Sequence, residues 1–161
     1  ASAFAPTDDD IQAASDQFQA FFEVHMRAPY LLNTELADCL SGSREAPGDI
    51  VQITDIQADN PKPVYDVYCA TKAALDNHAN GVREDALPGL KVESLAPGVI
   101  DTGMQSTIRG TSEEDFALRA QFVELKETGA LASPEAVGAK IAAHVTGASF
   151  GAETLTDIRQ V

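Results

Sequence analysis

Positive charge is scarce in this sequence. Eleven Lys and Arg face 25 Asp and Glu, which gives a formal net charge of −14 at pH 7 and a pI near 4.3. A surface of that sign repels phosphate backbones, so nucleic acid is not an expected partner, and anionic membrane surfaces are disfavoured. A negatively charged ligand would need a local positive site such as a helix N-terminus. Long apolar runs are missing too, and none approaches the roughly 20 residues that cross a bilayer. No basic stretch followed by an apolar one opens the chain, so no secretory signal is read and a cytoplasmic location is expected. Cysteine is rare: Cys39 and Cys69 stand far apart with no C-x-x-C pattern, which suits reduced thiols. With only three scattered histidines (His25, His78 and His144), no metal site is expected. Repeats of fixed period and low-complexity tracts are also absent.

What is present suits one globular domain over residues 1–161, with an apolar fraction of 44 %. A chain of this size buries roughly two-thirds of its unfolded surface. Residues 11–40 carry a helical pattern in which Phe18, Phe21, Phe22, Met26, Leu31, Leu32 and Leu36 recur at three- and four-residue steps. Pro29 interrupts it. Having no N–H, it cannot donate to the His25 carbonyl, so a kink is expected there. "IVQIT" (50–54) reads as a short buried strand, followed by a polar connection and a helix over 64–86 that "LPGL" stops. "KVESLA" (91–96) is the next strand, ended by Pro97-Gly98. Residues 111–129 read as an amphipathic helix with a Ser/Thr cap, and 133–147 as a helix with Ser133 as N-cap and Pro134 at N1. A last strand is expected over 152–158. Strands alternating with helices argue for an α/β fold, an open parallel sheet covered by helices. Ligands on such sheets bind beyond the carboxyl ends of the strands. Asp55, Tyr68 and the "PGVIDT" loop after Ala96 all fall there.

Tyr68 and Lys72 stand four residues apart on a helix and so share a face. A phenol is a poor acid or base at neutrality, but an adjacent ammonium favours the phenolate and lowers its pKa. Tyr68 could then pass a proton to a carbonyl or imine, with Asp55 binding the substrate or sharing the relay. A Tyr and a Lys at this spacing also arise by chance as a solvated helix pair. The acid at a strand end upstream and the strand with Pro-Gly downstream favour the functional reading. By contrast, Asp8-Asp9-Asp10 reads as a solvated helix start, and His78 and His144 as surface or packing residues.

The block "YCATKAA" beginning at Tyr68, followed by "LKVESLAPGVIDT", resembles the short-chain dehydrogenase/reductases. Within them, three details resemble the pteridine and dihydromonapterin reductases: the opening "ASAFAPT", Asp55 in "ITDIQA", and His25 in "VHMRAPYLLN". The resemblance implies a Rossmann-like doubly wound sheet and a nicotinamide cofactor, NADP(H) with NAD(H) not excluded. It implies Tyr68 as proton donor and Lys72 as the residue that lowers its pKa and holds the nicotinamide ribose. Asp55 would contact a pterin, Phe4 would stack on it, and Ser2 would lie near cofactor and substrate. Pro97, Gly98, Val99 and Ile100 would approach the nicotinamide, and Thr102 the cofactor phosphates. Homo-oligomer formation through residues 11–40 and 64–86 is implied as well.

"GVIDTGMQSTIR" and the tail "TLTDIRQV" are more similar to sepiapterin or benzil reductases, so a carbonyl reductase is the alternative. The Gly-rich turn that opens the family's cofactor site has no counterpart in these residues, and the resemblance covers the later part of a family member. A catalytically silent fragment or assembly module is therefore a third expectation.

Overall fold

The computed structural model describes residues 8–42, 48–55, 58 and 66–161. Three parallel strands, β1 (Gly48–Ile53), β2 (Leu90–Ala96) and β3 (Leu155–Asp157), pair in that order. Gly48 stands opposite Leu90 in one ladder and Ser94 opposite Leu155 in the other. The expected strands lie where the β-branched and apolar runs placed them. The last is shorter than 152–158, because residues 149–154 form turns.

Helix α3 (Asp66–Glu84) covers one face of the sheet. Ile50 and Val92 meet Ala79 there in a small core, extended by Val82 and Leu90. On the same face Ser94 donates to Asp76 Oδ1 at 2.6 Å, and Gln52 bonds His78 Nδ1 at 2.9 Å. Side chains alternate along a strand, so Glu93 and Leu95 point the other way. There Glu93, with 0 % of its surface exposed, bonds His144 Nε2 at 2.7 Å and accepts from the Gly151 N–H at 3.0 Å. His144 belongs to α6 (Pro134–Val145), whose first turn is capped as expected: the Ala136 N–H donates to Ser133 Oγ. Helices on both faces make the architecture Rossmann-like and doubly wound.

The long helical pattern at 11–40 is two helices, α1 (Asp8–Phe22) and α2 (Ala28–Gly42), joined by a π-helical turn over Glu23–Arg27. The expected irregularity at Pro29 takes this form. The wider turn lets the Ala28 N–H donate to the Glu23 carbonyl five residues back, just before the residue that has no N–H to give.

One expectation needs correction. Residues 111–129 are not a single helix: 113–118 form successive turns, and α5 spans Arg119–Glu127. The cap signal at Ser112 is real, since its Oγ accepts from the Asp115 N–H and donates to Asp115, but it closes one turn only. Phe116 is buried against Phe122, and this packing turns the chain before α5 begins. A further helix, α4 (Gly103–Gly110), follows the PGVIDT loop in a stretch to which the sequence reading assigned no element.

Candidate active site

The catalytic candidates come from the carboxyl ends of neighbouring strands. β1 ends at Ile53, and two residues later Asp55 receives a hydrogen bond from the Tyr68 hydroxyl, O–O 3.0 Å. Tyr68 and Lys72 sit on the first turns of α3 and face the same way. The Lys72 ammonium lies 5.8 Å from the Tyr68 ring centre and donates to the Ile53 carbonyl at 2.8 Å. That bond fixes the buried ammonium beneath the ring. Burial pushes the Lys72 pKa down, and the charges of Asp55 and Asp76 oppose the shift. The His25 ring, on the π turn, meets Tyr68 edge-on at 5.9 Å and stacks on Phe21 at 5.5 Å. Its pKa is held below 6.5 by burial first and by Lys72 second, so it is largely neutral at pH 7.

β2 ends at Ala96 and delivers the Pro97–Ile100 loop. Gly98 takes φ +81°, and a Cβ there would come within 2.9 Å of the Arg159 side chain. Both the left-handed backbone and the close approach suit glycine. Arg159 is held over this turn by Asp157, its Nε donating to Oδ1 at 2.8 Å. Asp101 pairs with Lys126 of α5 and lies 3.6 Å from the Arg109 guanidinium of α4, which ties two walls together. These cations hold the Asp101 carboxyl below its usual range, the Lys126 hydrogen bond most of all.

A cavity of about 290 Å³ opens between these elements. Asp55 and Tyr68 line it, as do Gly98, Val99, Ile100 and Thr102. Opposite them stand Met104, Gln105 and Ile108 of α4, and Leu118, Phe122 and Leu125 of or beside α5. Asp55, Tyr68, Gly98, Val99, Ile100 and Thr102 therefore converge on the cavity, whereas Lys72 lies under the Tyr68 ring and Pro97 precedes Gly98 in its loop, neither of them lining it. Ser2 and Phe4 lie outside the described residues. Sequence reasoning missed the α4 wall and Arg159. The available signal was the helical spacing of Met104 and Ile108, but glycines at both ends of a short segment concealed it.

The arrangement suits proton transfer: a phenol and a carboxylate line one apolar cavity, and an ammonium lies under the phenol ring. The loop at Gly98 and the exposed N-terminus of α4 at Thr102 could accept a flat ring and an anionic group respectively. Among the described residues no helix is long and apolar enough to cross a membrane.

A family model described as short chain dehydrogenase matches residues 3–113. Benzil reductase of Bacillus subtilis is 35 % identical over 127 residues, covering 77 % of this chain and 52 % of that protein. Dihydromonapterin reductase of an Enterobacter species is 36 % identical over 86 residues, covering 53 % of this chain and 36 % of that protein. The chain thus spans about half the length, or less, of these curated relatives. Among solved structures, that of the KRED1-Pglu enzyme superposes with a TM-score of 0.76 at 22 % identity, covering 88 % of this chain and 59 % of that one.

Proposed function

Because the chain belongs to the short-chain dehydrogenase family, we propose that it carries the catalytic part of a nicotinamide-dependent reductase acting on a pterin-like substrate. The observation that carries this reading is the Tyr68–Asp55 hydrogen bond at the cavity floor, with the Lys72 ammonium beneath it. The cofactor, when bound, supplies a hydride to the substrate carbon. Tyr68 gives its hydroxyl proton to the substrate nitrogen or oxygen, and its O–H bond breaks. Lys72 stabilises the phenolate that remains, until a solvent proton replaces the one given up. Asp55 binds the substrate's N–H edge and holds the Tyr68 hydroxyl in line. Lys72 would also hold the nicotinamide ribose. Pro97, Gly98, Val99 and Ile100 would form the surface for the nicotinamide ring, and Thr102 with the α4 N-terminus would receive phosphate. We infer NADP(H) as the cofactor, with NAD(H) as the alternative, and the cytoplasm as the compartment. Self-association through α1, α2 and α3 is assigned to a face that exposes Phe18 and Leu31.

The benzil reductase relative and the apolar α4–α5 wall favour a second reading, reduction of an aryl ketone. NADPH oxidation by the protein with a dihydropterin and with benzil separates the two. The first reading expects turnover with the pterin preferred. Turnover of benzil alone would replace it, and NADPH binding with no turnover of either would favour a catalytically silent module.

A water on the His25 carbonyl, which Pro29 cannot reach with an N–H, would link Lys72 to solvent as part of the relay. Pro29→Ala is expected to lower turnover severalfold in steady-state assays by restoring a helical donor to that carbonyl. Unchanged turnover would remove this step.

The neutral histidines also make stability depend on pH. His25 and His78 both have native pKa values lowered by burial. Below their unfolded value near 6.5 the unfolded chain binds protons that the native state refuses. Their contribution is therefore complete above that pH and is lost as pH falls through the native values. Urea midpoints between pH 7.5 and 5 should fall less steeply in His25→Asn/His78→Asn than in the parent. Parallel curves would contradict this.

A further inference from the structure

A second cavity, of about 280 Å³, adjoins the one that Asp55 lines. Tyr68, Met104 and Ile108 border both. Its other walls are Gln17 and Phe21 of α1, with Asp66 and Val67 at the start of α3. The shared border includes Met104, an unbranched, flexible side chain that is 56 % exposed and so yields to a ligand reaching across. Phe21, Val67, Met104 and Ile108 make the second cavity largely apolar. Gln17 and Asp66 add an exposed carboxamide and an exposed carboxylate from two different helices. Asp66 Oδ1 also accepts from the Val67 N–H at 2.9 Å, which serves the helix start. An apolar space with a few polar groups is the usual form of a small-molecule site.

We propose that this second cavity is a substrate subsite that takes an uncharged, hydroxyl-bearing substituent on the carbon receiving hydride. This rests on the pterin reading above and narrows it. In a 7,8-dihydropterin the reducible bond is N5=C6. C6 takes the hydride from the cofactor, N5 takes the Tyr68 proton, and the π bond is lost. The reacting carbon is also the one that carries the substituent, so ring system and substituent extend from it in opposite directions. Tyr68 is placed to match, since it borders one cavity with Asp55 and a second without it. The ring belongs with Asp55, and the substituent falls to the second cavity. Hydroxyls there donate to the Asp66 carboxylate and exchange hydrogen bonds with the Gln17 carboxamide. The carbons that bear them lie against Phe21 and Val67. The Asp66 charge, in a chain of net charge −14, opposes a phosphate ester at the same place.

Three ligands test it: a 7,8-dihydropterin bare at C6, one with a trihydroxypropyl group there, and the phosphate ester of that triol. The parent kcat/KM should favour the triol over the bare ring, and over the ester, by about tenfold each. Kd values for the oxidised forms of the three, read from their own fluorescence and needing no turnover, should follow the same order. Asp66→Asn keeps an acceptor at the helix start and removes the charge, so it should bring the ester to within about threefold of the triol. Gln17→Trp fills the cavity from an exposed position on α1 and should abolish the preference for the triol over the bare ring. Triol and bare ring within about twofold of each other in the parent would overturn the inference. So would parental preferences kept in both variants, or equal losses for all three ligands in both, which mark structural residues. If the parent reduces pterins without the preference, the inference falls and the reductase reading stands. If it binds them with the preference but reduces none, the inference stands and that reading fails. If it binds none, both fail.

Discussion

Replacing Tyr68 by Phe is expected to lower nicotinamide-dependent turnover by roughly 10² to 10⁴-fold, the range over which a positioned general acid contributes. The substitution removes one oxygen and the proton it carries. The ring stays in place, because its edge contact with His25 and its position above Lys72 do not involve the hydroxyl. Asp55 loses the bond it accepts at 3.0 Å but keeps access to the cavity. Substrate binding should therefore change little while kcat falls, and a split of that kind marks a group acting in the transition state. Steady-state rates with matched far-UV spectra check it. A variant retaining more than a tenth of the parent rate would show that Tyr68 is not the proton donor.

The second large effect concerns stability. Glu93 is a fully buried carboxylate in the central strand, and it joins three separated segments: β2, α6 through His144, and the turn at Gly151. Exchanging this pair for apolar residues of similar volume could be neutral, because desolvation offsets much of the attraction. Removing one partner is different. Glu93→Ala leaves the buried His144 Nε2 and the part-buried Gly151 N–H without this partner, and opens a void as well. A loss of about 3–5 kcal/mol is expected, a large share of the 5–15 kcal/mol that a domain usually holds. Urea unfolding measures it. A loss below about 1 kcal/mol, the scale of an exposed pair, would show that water reaches these groups.

This network explains why parts of the fold were legible in the sequence and others were not. β1, β2, α3 and α6 were legible because their signals are local: β-branched runs bounded by Pro and Gly, a repeating apolar stripe, a Ser-Pro start. Asp55 and Tyr68, 13 residues apart, meet because a strand end faces the first turn of α3, and Lys72 follows Tyr68 by one helical turn, a placement that local geometry makes readable from sequence. Glu93 and His144 are 51 residues apart, and neither has a pattern of its own that announces the other. His144 was read as a packing or surface residue, and its role as the partner of a buried acid appears only in three dimensions. The helix at 111–129 was overread because the Ser112–Asp115 cap, though formed, does not outweigh the burial of Phe116. α4 was missed, and Gln105 with it, because two glycines at its ends resemble loop punctuation. Pro29 gave the place of the irregularity between α1 and α2, but its form depends on the helical hydrogen-bond ladder around it.

The central claim is that the Tyr68–Asp55–Lys72 floor serves hydride reduction of a pterin. The most direct measurement is a single turnover of a dihydropterin with NADPH deuterated at its transferable position, followed by mass analysis of the product. The account predicts one deuterium on the reduced carbon, with the accompanying proton drawn from solvent, and a signal that disappears in Tyr68→Phe. Product formed without deuterium, or deuterium transfer undiminished in Tyr68→Phe, would contradict it.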